Sequence, residues 1–312
     1  MIVSASYKTD IPAFYADWFM ARLGQGFCRM VNPWGGQVYE VPLTAATVEG
    51  FVLWTRNIDP LAPRLPAVAR VAPFAVQYTV TGYPRALEAS TVPAPRAIAS
   101  IQRLCQDFGP RAAVWRYDPI LFTSLTPAGW HRENFAALAA SLRGAVDEVV
   151  ISFAHVYRKT RRNLDAAAGR AGFAWHDPET AEKGALAAAL SEIAGNAGMA
   201  LRVCAQADVL PPGAALARCI DAARLSDIAG RPIAAAVKGN RPDCLCHEAR
   251  DIGAYDTCPH GCSYCYAVSA PATAKRRHAA HDPDGPFLFP PARRDEADQA
   301  SSASRMPENI QR

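Results

Sequence analysis

No run of about 18 clean apolar residues occurs in the chain, so no helix is expected to cross a membrane. The most alanine-rich stretch, residues 185–205, is interrupted by Ser191, Glu192, Asn196 and Arg202. The opening residues, Met1-Ile2-Val3-Ser4-Ala5-Ser6-Tyr7-Lys8, lack a basic segment followed by an apolar one, so no secretory signal is read there. Charge is also sparse. Charged residues make up 20% of the chain and the net charge is +4 at pH 7, too weak a bias to argue for nucleic acid by itself. No convincing phosphate-binding loop, dinucleotide fingerprint or Ser-His-Asp order is found, nor any short internal repeat. The expectation is a cytoplasmic protein without a membrane partner.

What is present is cysteine. There are nine in 312 residues, an odd count in a chain with no export signal, which argues against a disulfide framework. Five of the nine fall between Cys244 and Cys265, a crowding that favours metal binding over structural thiols. Cys28 and Cys105 lie inside an expected strand and helix and read as core.

Half of the residues are apolar, enough for one large core or two modest ones. Short apolar runs at 2–6, 27–31, 51–55, 74–80, 112–117, 148–154 and 200–205 read as strands. Most are nearly continuous, as parallel strands buried on both faces are. Helix signals lie between them. Asp10 is placed to cap a helix through Leu23, with Phe14, Trp18 and Phe19 facing the core. Thr126-Pro127 and Asp177-Pro178 are start signals, and Gly109, Gly144 and Gly198 are stops. Seven or so such units make an α/β fold, a TIM-type (β/α) barrel, complete or partial, with a doubly wound sheet as the alternative. Three regions follow: the barrel over 1–238, a cysteine-rich segment over 239–289 packed on it, and a polar, charged tail over 290–312 expected to be disordered.

The densest motif is Asp256-Thr-Cys258-Pro-His-Gly-Cys262-Ser-Tyr-Cys265-Tyr-Ala267, with CxxxCxxC spacing. Three thiolates on one tight loop can hold three irons of a 4Fe–4S cube, leaving the fourth open to a small molecule or a distant residue. Pro259 and Gly261 suit the sharp turns this requires. Tyr264 could cover the cluster or contact a bound ligand's base. Cys244 and Cys246 form a weaker signal. With Cys204 and Cys219 they could make a second cluster site, or Cys204 and Cys219 could be ordinary core residues. Zinc is the alternative metal, since Cys244, Cys246, His247, Cys258, His260, Cys262 and Cys265 offer ample tetrahedral ligands.

The CxxxCxxC loop, with an aromatic residue before its last cysteine, resembles the signature of radical S-adenosylmethionine enzymes. Within them it is similar to the loop of spore photoproduct lyase-like members. The whole chain more closely resembles the domain of unknown function 1848 family, through Ser4-Ala-Ser-Tyr-Lys-Thr-Asp-Ile-Pro-Ala-Phe-Tyr15, Leu53-Trp-Thr-Arg-Asn57, Trp115-Arg-Tyr-Asp-Pro-Ile120, Ile151-Ser-Phe153 and Asp251-Ile-Gly-Ala-Tyr255. The radical-enzyme resemblance implies a 4Fe–4S cluster, bound S-adenosylmethionine and an electron donor such as a ferredoxin or flavodoxin. Radical enzymes of the usual design carry the cysteine loop after the first barrel strand. Here it follows the barrel, so either the strand order is permuted or the loop folds back over the mouth.

Chemistry in parallel barrels sits at the C-terminal ends of strands. The sharpest candidates there are Arg116 and Asp118. Arg116 could grip a carboxylate or phosphate, and Asp118 could hold it or move a proton. An Arg116–Asp118 or Arg116–Asp10 ion pair closing the barrel top is the competing reading. Lys8, Arg56 and Asn57 are candidate cofactor-binding residues at the rim. Asp10 reads as a helix cap, and His131 and His176 as surface or capping residues. The basic run Lys275-Arg276-Arg277-His278 is a weak nucleic-acid signal. Together these residues suggest an iron–sulfur enzyme of radical type, acting on an unknown small-molecule or modified-biopolymer substrate. An iron–sulfur electron carrier or redox sensor and a zinc-stabilised binding module are the alternatives.

Overall fold

A computed structural model describes residues 1–32 and 35–291. The expected disordered tail therefore lies almost wholly outside the described residues. Eight strands form one parallel sheet: β1 (Ile2–Ala5), β4 (Gly50–Thr55), β5 (Phe74–Thr79), β6 (Ala113–Ile120), β8 (Glu148–Phe153), β10 (Ala200–Val203), β11 (Ala215–Leu216) and β12 (Ala249–Asp251). Their order is β11-β10-β8-β6-β5-β4-β1-β12. The last strand thus returns to pair in parallel with the first, Ile2 opposite Ala249 and Ser4 opposite Asp251. This is the order of a barrel opened at one seam. A closed barrel is not observed, because no ladder joins β11 to β12 among the described residues.

The run at 27–31 corrects the expected strand set. It forms β2 (Phe27–Val31), which pairs antiparallel with β3 (Val38–Pro42) in a separate hairpin. Its burial alternates along the strand, as expected for a ribbon with one face in water rather than for a central parallel strand. A second small sheet joins β7 (Phe122–Thr123) to β9 (Trp175–His176).

Helices α1 (Ile11–Phe14), α2 (Ala16–Gln25), α3 (Leu65–Val71), α4 (Ala94–Phe108), α5 (Ala128–Leu142), α6 (Arg158–Ala171) and α7 (Thr180–Asn196) connect the strands. The single helix expected from Asp10 to Leu23 is broken at Tyr15, whose backbone is not helical. Strand residues Val3, Phe51, Leu53, Val76, Trp115, Ile151 and Val203 face the main core, with Trp18, Phe19, Leu65, Ile101, Phe135 and Leu190 from the helices. The alternate residues Ile2, Val52, Ala75, Val114 and Val150 point to the opposite face, as the two-residue period of a strand requires.

That second face is covered at the N-terminal end of the strands by α8 (Ala222–Ala229). Gly50 permits the approach, since a Cβ there would lie 2.7 Å from a methyl of Leu225. Arg224 of α8 is 2% exposed and bonds Asp147, Glu148 and the carbonyl of Arg111, so its buried charge is compensated. Helix α9 (Pro271–Ala279) carries the basic run. Arg276 donates to the Thr273 hydroxyl, Arg277 binds the carbonyl of Tyr255, and His278 packs on Phe14 and Tyr15, so three residues of that run are engaged within the chain. The following residues pack on α2, where Trp18 and Arg22 donate to the carbonyls of Gly285 and Asp284. No helix among the described residues is long and apolar enough to cross a membrane.

Candidate functional site

The cysteine loop folds back over the C-terminal ends of β1, β4 and β5, so no permutation of the strand order is needed. Three contacts with the segment after β1 fix it. The Tyr15 hydroxyl donates to the carbonyl of Thr257 at 2.6 Å, the hydroxyls of Thr9 and Thr257 touch, and Tyr266 donates to the carbonyl of Tyr7 at 2.6 Å. The segment after β5 holds the other side. Ser90 N–H bonds the carbonyl of His260 and Ser263 N–H that of Leu87, both at 2.9 Å. Gly261 turns the chain between the first two cysteines with φ of +73°, a conformation that favours glycine.

Asp10 links helix, strand and loop. One carboxylate oxygen accepts from Ala13 N–H at 3.0 Å, as a helix cap does, and from the Thr55 hydroxyl at 2.7 Å. The other accepts from Arg56 N–H at 2.7 Å and meets Nε2 of His260 at 2.8 Å. The cap reading of Asp10 is thus found together with a second task, docking the loop.

The three loop thiols are half-buried neighbours. Burial pushes the Cys258 thiol up to about 12, with Asp10 and Cys265 adding to it, against backbone N–H groups of His260 and Asp10 that favour its thiolate. Burial also raises Cys262, and the Arg56 guanidinium opposes it. Cys265 is raised by burial and opposed by the N–H groups of Ala267 and Val268 and by the charges of Arg56 and Lys159. Burial thus favours the neutral thiol at all three. Backbone amides and cations aimed at them form a setting suited to anionic sulfur. Among the described residues, no three His, Cys, Asp or Glu side chains already converge on one point fit for a metal ion.

Beside the loop, Arg56 donates to Glu88 and to the Tyr264 hydroxyl, each at 2.7 Å, and Tyr264 in turn touches Glu88. Glu88 also accepts from Thr81 at 2.7 Å. The Tyr264 ring packs edge-on against Tyr83. Burial raises the Tyr264 hydroxyl well above its ordinary value, so it acts as a neutral donor. A cleft of about 210 Å³ lined by Arg56, Thr79, Thr81, Tyr83, Arg85 and Glu88 opens beside this network. A larger, open depression lined by Ser226, Asp227 and His247 lies on α8, away from the loop.

The remaining sequence candidates are also placed. Arg116 is bidentate with Asp118 at 2.9 and 2.7 Å, so its fork is filled by the neighbouring carboxylate. It also donates to Gln77 and lies over the Trp54 ring. Lys8 pairs with Asp251 at 3.3 Å, and Asp251 accepts from Ser4 and Ser6 at 2.8 Å. Asn57 makes a local turn, its side chain accepting from Asp59 N–H. His131 is fully buried rather than on the surface, bonded to Tyr117 and to the carbonyl of Leu121. Glu88 and Asp251 were not singled out in the sequence. Asp251 entered only as part of a family-like stretch with no role assigned, and only the fold brings each acid to its partners.

Cys204, Cys219, Cys244 and Cys246, from three separate stretches, share one cluster on the second face of the sheet. No curated protein and no solved structure matches the chain. A family model described as a domain of unknown function (DUF1848) matches residues 2–267, a span that runs from β1 through the third loop cysteine, and the chain belongs to this family.

Proposed function

We propose that this protein is an iron–sulfur enzyme of the radical S-adenosylmethionine type, with a 4Fe–4S cluster on Cys258, Cys262 and Cys265. The observation that carries this reading is the position of the loop. It comes last in the matched sequence yet lies over the C-terminal edge of β1, β4 and β5, where parallel sheets put their chemistry. Cys258, Cys262 and Cys265 would hold such a cluster, which would supply the one electron, taken from an external donor, for reductive cleavage of S-adenosylmethionine to methionine and a 5′-deoxyadenosyl radical.

The chain's own residues would act as follows. Amides of Asp10, His260, Ala267 and Val268 favour the thiolate forms of Cys258 and Cys265. Arg56, held by Glu88 and Tyr264, keeps a fixed positive charge beside Cys262. His260, docked on Asp10, sets the course of the loop between the first two cysteines. The polar layer of Ser4, Trp54, Gln77, Arg116, Asp118 and Ser152 forms a floor on which a polar substrate can be oriented. Arg116 serves there by positioning Asp118, since its own donors are engaged.

Anaerobic reconstitution with iron and sulfide tests the reading. About four irons and four sulfides should be retained per loop site. That content should be lost when the three loop cysteines are replaced by alanine. Reduced, loaded protein should release 5′-deoxyadenosine from S-adenosylmethionine. A loaded protein that releases none contradicts the enzymatic reading.

A further inference from the structure

Four thiols outside the loop are gathered beside Arg116. The sulfurs of Cys204 and Cys219 lie 3.6 Å apart. Cys246 and Cys244 pack in the same cluster, so the four thiols share one region of the second face of the sheet. They come from the end of β10, the stretch after β11 and the approach to β12. Two guanidinium groups reach into this region. Arg116 donates to the sulfur of Cys219 at 3.1 Å, and Arg241 donates to that of Cys204 at 3.4 Å.

A hydrophobic explanation covers one buried cysteine well and four gathered in one cluster poorly. Neutral thiols are weak acceptors and gain little from two cations, whereas a metal–thiolate centre carries negative charge that cations and N–H groups stabilise. Spacing agrees. Metal–sulfur bonds of about 2.3 Å in a tetrahedron put sulfurs about 3.8 Å apart, close to the 3.6 Å between Cys204 and Cys219. The four thiols are not yet closed around one point. Cys244 and Cys246 belong to an irregular segment, residues 238–247, which is held beside Cys219 by the bonds from Lys238 N–H to the Cys246 carbonyl and from His247 N–H to the Ile220 carbonyl.

We propose that Cys204, Cys219, Cys244 and Cys246 form a second, tetrathiolate centre for a thiophilic metal, separate from the Cys258–Cys265 loop. Arg116 and Arg241 balance its charge. The spacing suits a single tetrahedral ion, zinc or one iron, and metal analysis tells them apart.

The test uses the full chain with Cys258, Cys262 and Cys265 replaced by serine, so that failure of the radical reading cannot affect it. This variant should retain one zinc or one iron per chain. After metal removal it should bind cobalt(II) with thiolate charge-transfer and tetrahedral absorption bands. Adding Cys219→Ser should weaken cobalt binding by about tenfold or more. A folded variant with no zinc or iron, binding cobalt no better than one also lacking all four of these cysteines, overturns the proposal. If the triple replacement does not fold, the comparison is wild type against Cys244→Ser/Cys246→Ser. Loss of one centre's metal supports the proposal, and unchanged metal content overturns it.

Discussion

Nε2 of His260 stands 2.8 Å from Oδ2 of Asp10, joining residues 250 positions apart in the sequence. The bond ties the cysteine loop to the cap of the first helix. The same carboxylate serves Ala13, Thr55 and Arg56. Its removal therefore strands several buried donors together. Asp10→Ala should cost on the order of 3 kcal/mol in denaturant unfolding. It should also reduce cluster retention at the loop, while Asp10→Asn should lose less of both. Full stability and full iron content in Asp10→Ala would separate the loop from the cap.

The Arg56–Glu88 pair is almost wholly buried, with side chains 13% and 4% exposed. Removing one partner leaves the other charge uncompensated. Glu88→Ala should destabilise by about 3 kcal/mol or more. The Arg56→Met/Glu88→Leu double replacement should cost much less than the sum of the two single replacements. A double-mutant cycle measures this coupling, and strict additivity would contradict the pairing.

Arg116 is expected to act as a structural partner of Asp118. Arg116→Lys cannot reproduce the two parallel bonds, and it gives up the contacts to Gln77 and Cys219. Loss of about 2 kcal/mol in stability should accompany it. Melting curves beside a ligand-binding assay would detect the alternative, in which binding falls and the melting temperature does not.

His131 links pH to stability away from the cysteines. Burial lowers its pKa from 6.5 to about 4. The geometry fits the neutral ring, with Nδ1 accepting from Tyr117 and Nε2–H donating to Leu121. Between pH 6.5 and 4 the unfolded chain binds more protons than the folded one at this site. The contribution is therefore complete above about 6.5 and is lost as pH falls toward 4. It amounts to roughly 3 kcal/mol at most. Nitrogen chemical shifts of the ring should report a neutral Nε2–H tautomer at pH 6. An imidazolium there would contradict this.

Much of the fold was legible because parallel strands advertise themselves as apolar runs. Those at 51–55, 74–80, 112–117, 148–154 and 200–205 all enter the main sheet. The run at 27–31 did not, since its five residues look alike whether they pair in parallel or in a hairpin. β11 and β12 were missed because strands of two and three residues carry no periodicity. At the site, the three loop cysteines stood out by spacing. The tasks of Glu88 and Asp251 were not legible, because an acid's partner shows only when folding sets Arg56 or Lys8 beside it. Arg116 and Asp118 were noticed, and their mutual pairing was one of two open readings. It became visible only once both were seen to point to the same face.

The central claim is that the loop cluster keeps one iron open to S-adenosylmethionine. The most direct measurement is the electron paramagnetic resonance spectrum of the reduced, fully loaded protein with and without that cofactor. The signal should change clearly when the cofactor is added. The change should persist when Cys244 and Cys246 are replaced and disappear when Cys258, Cys262 and Cys265 are replaced. An unchanged spectrum from a fully loaded loop cluster would contradict the account and leave an electron carrier or redox sensor in its place.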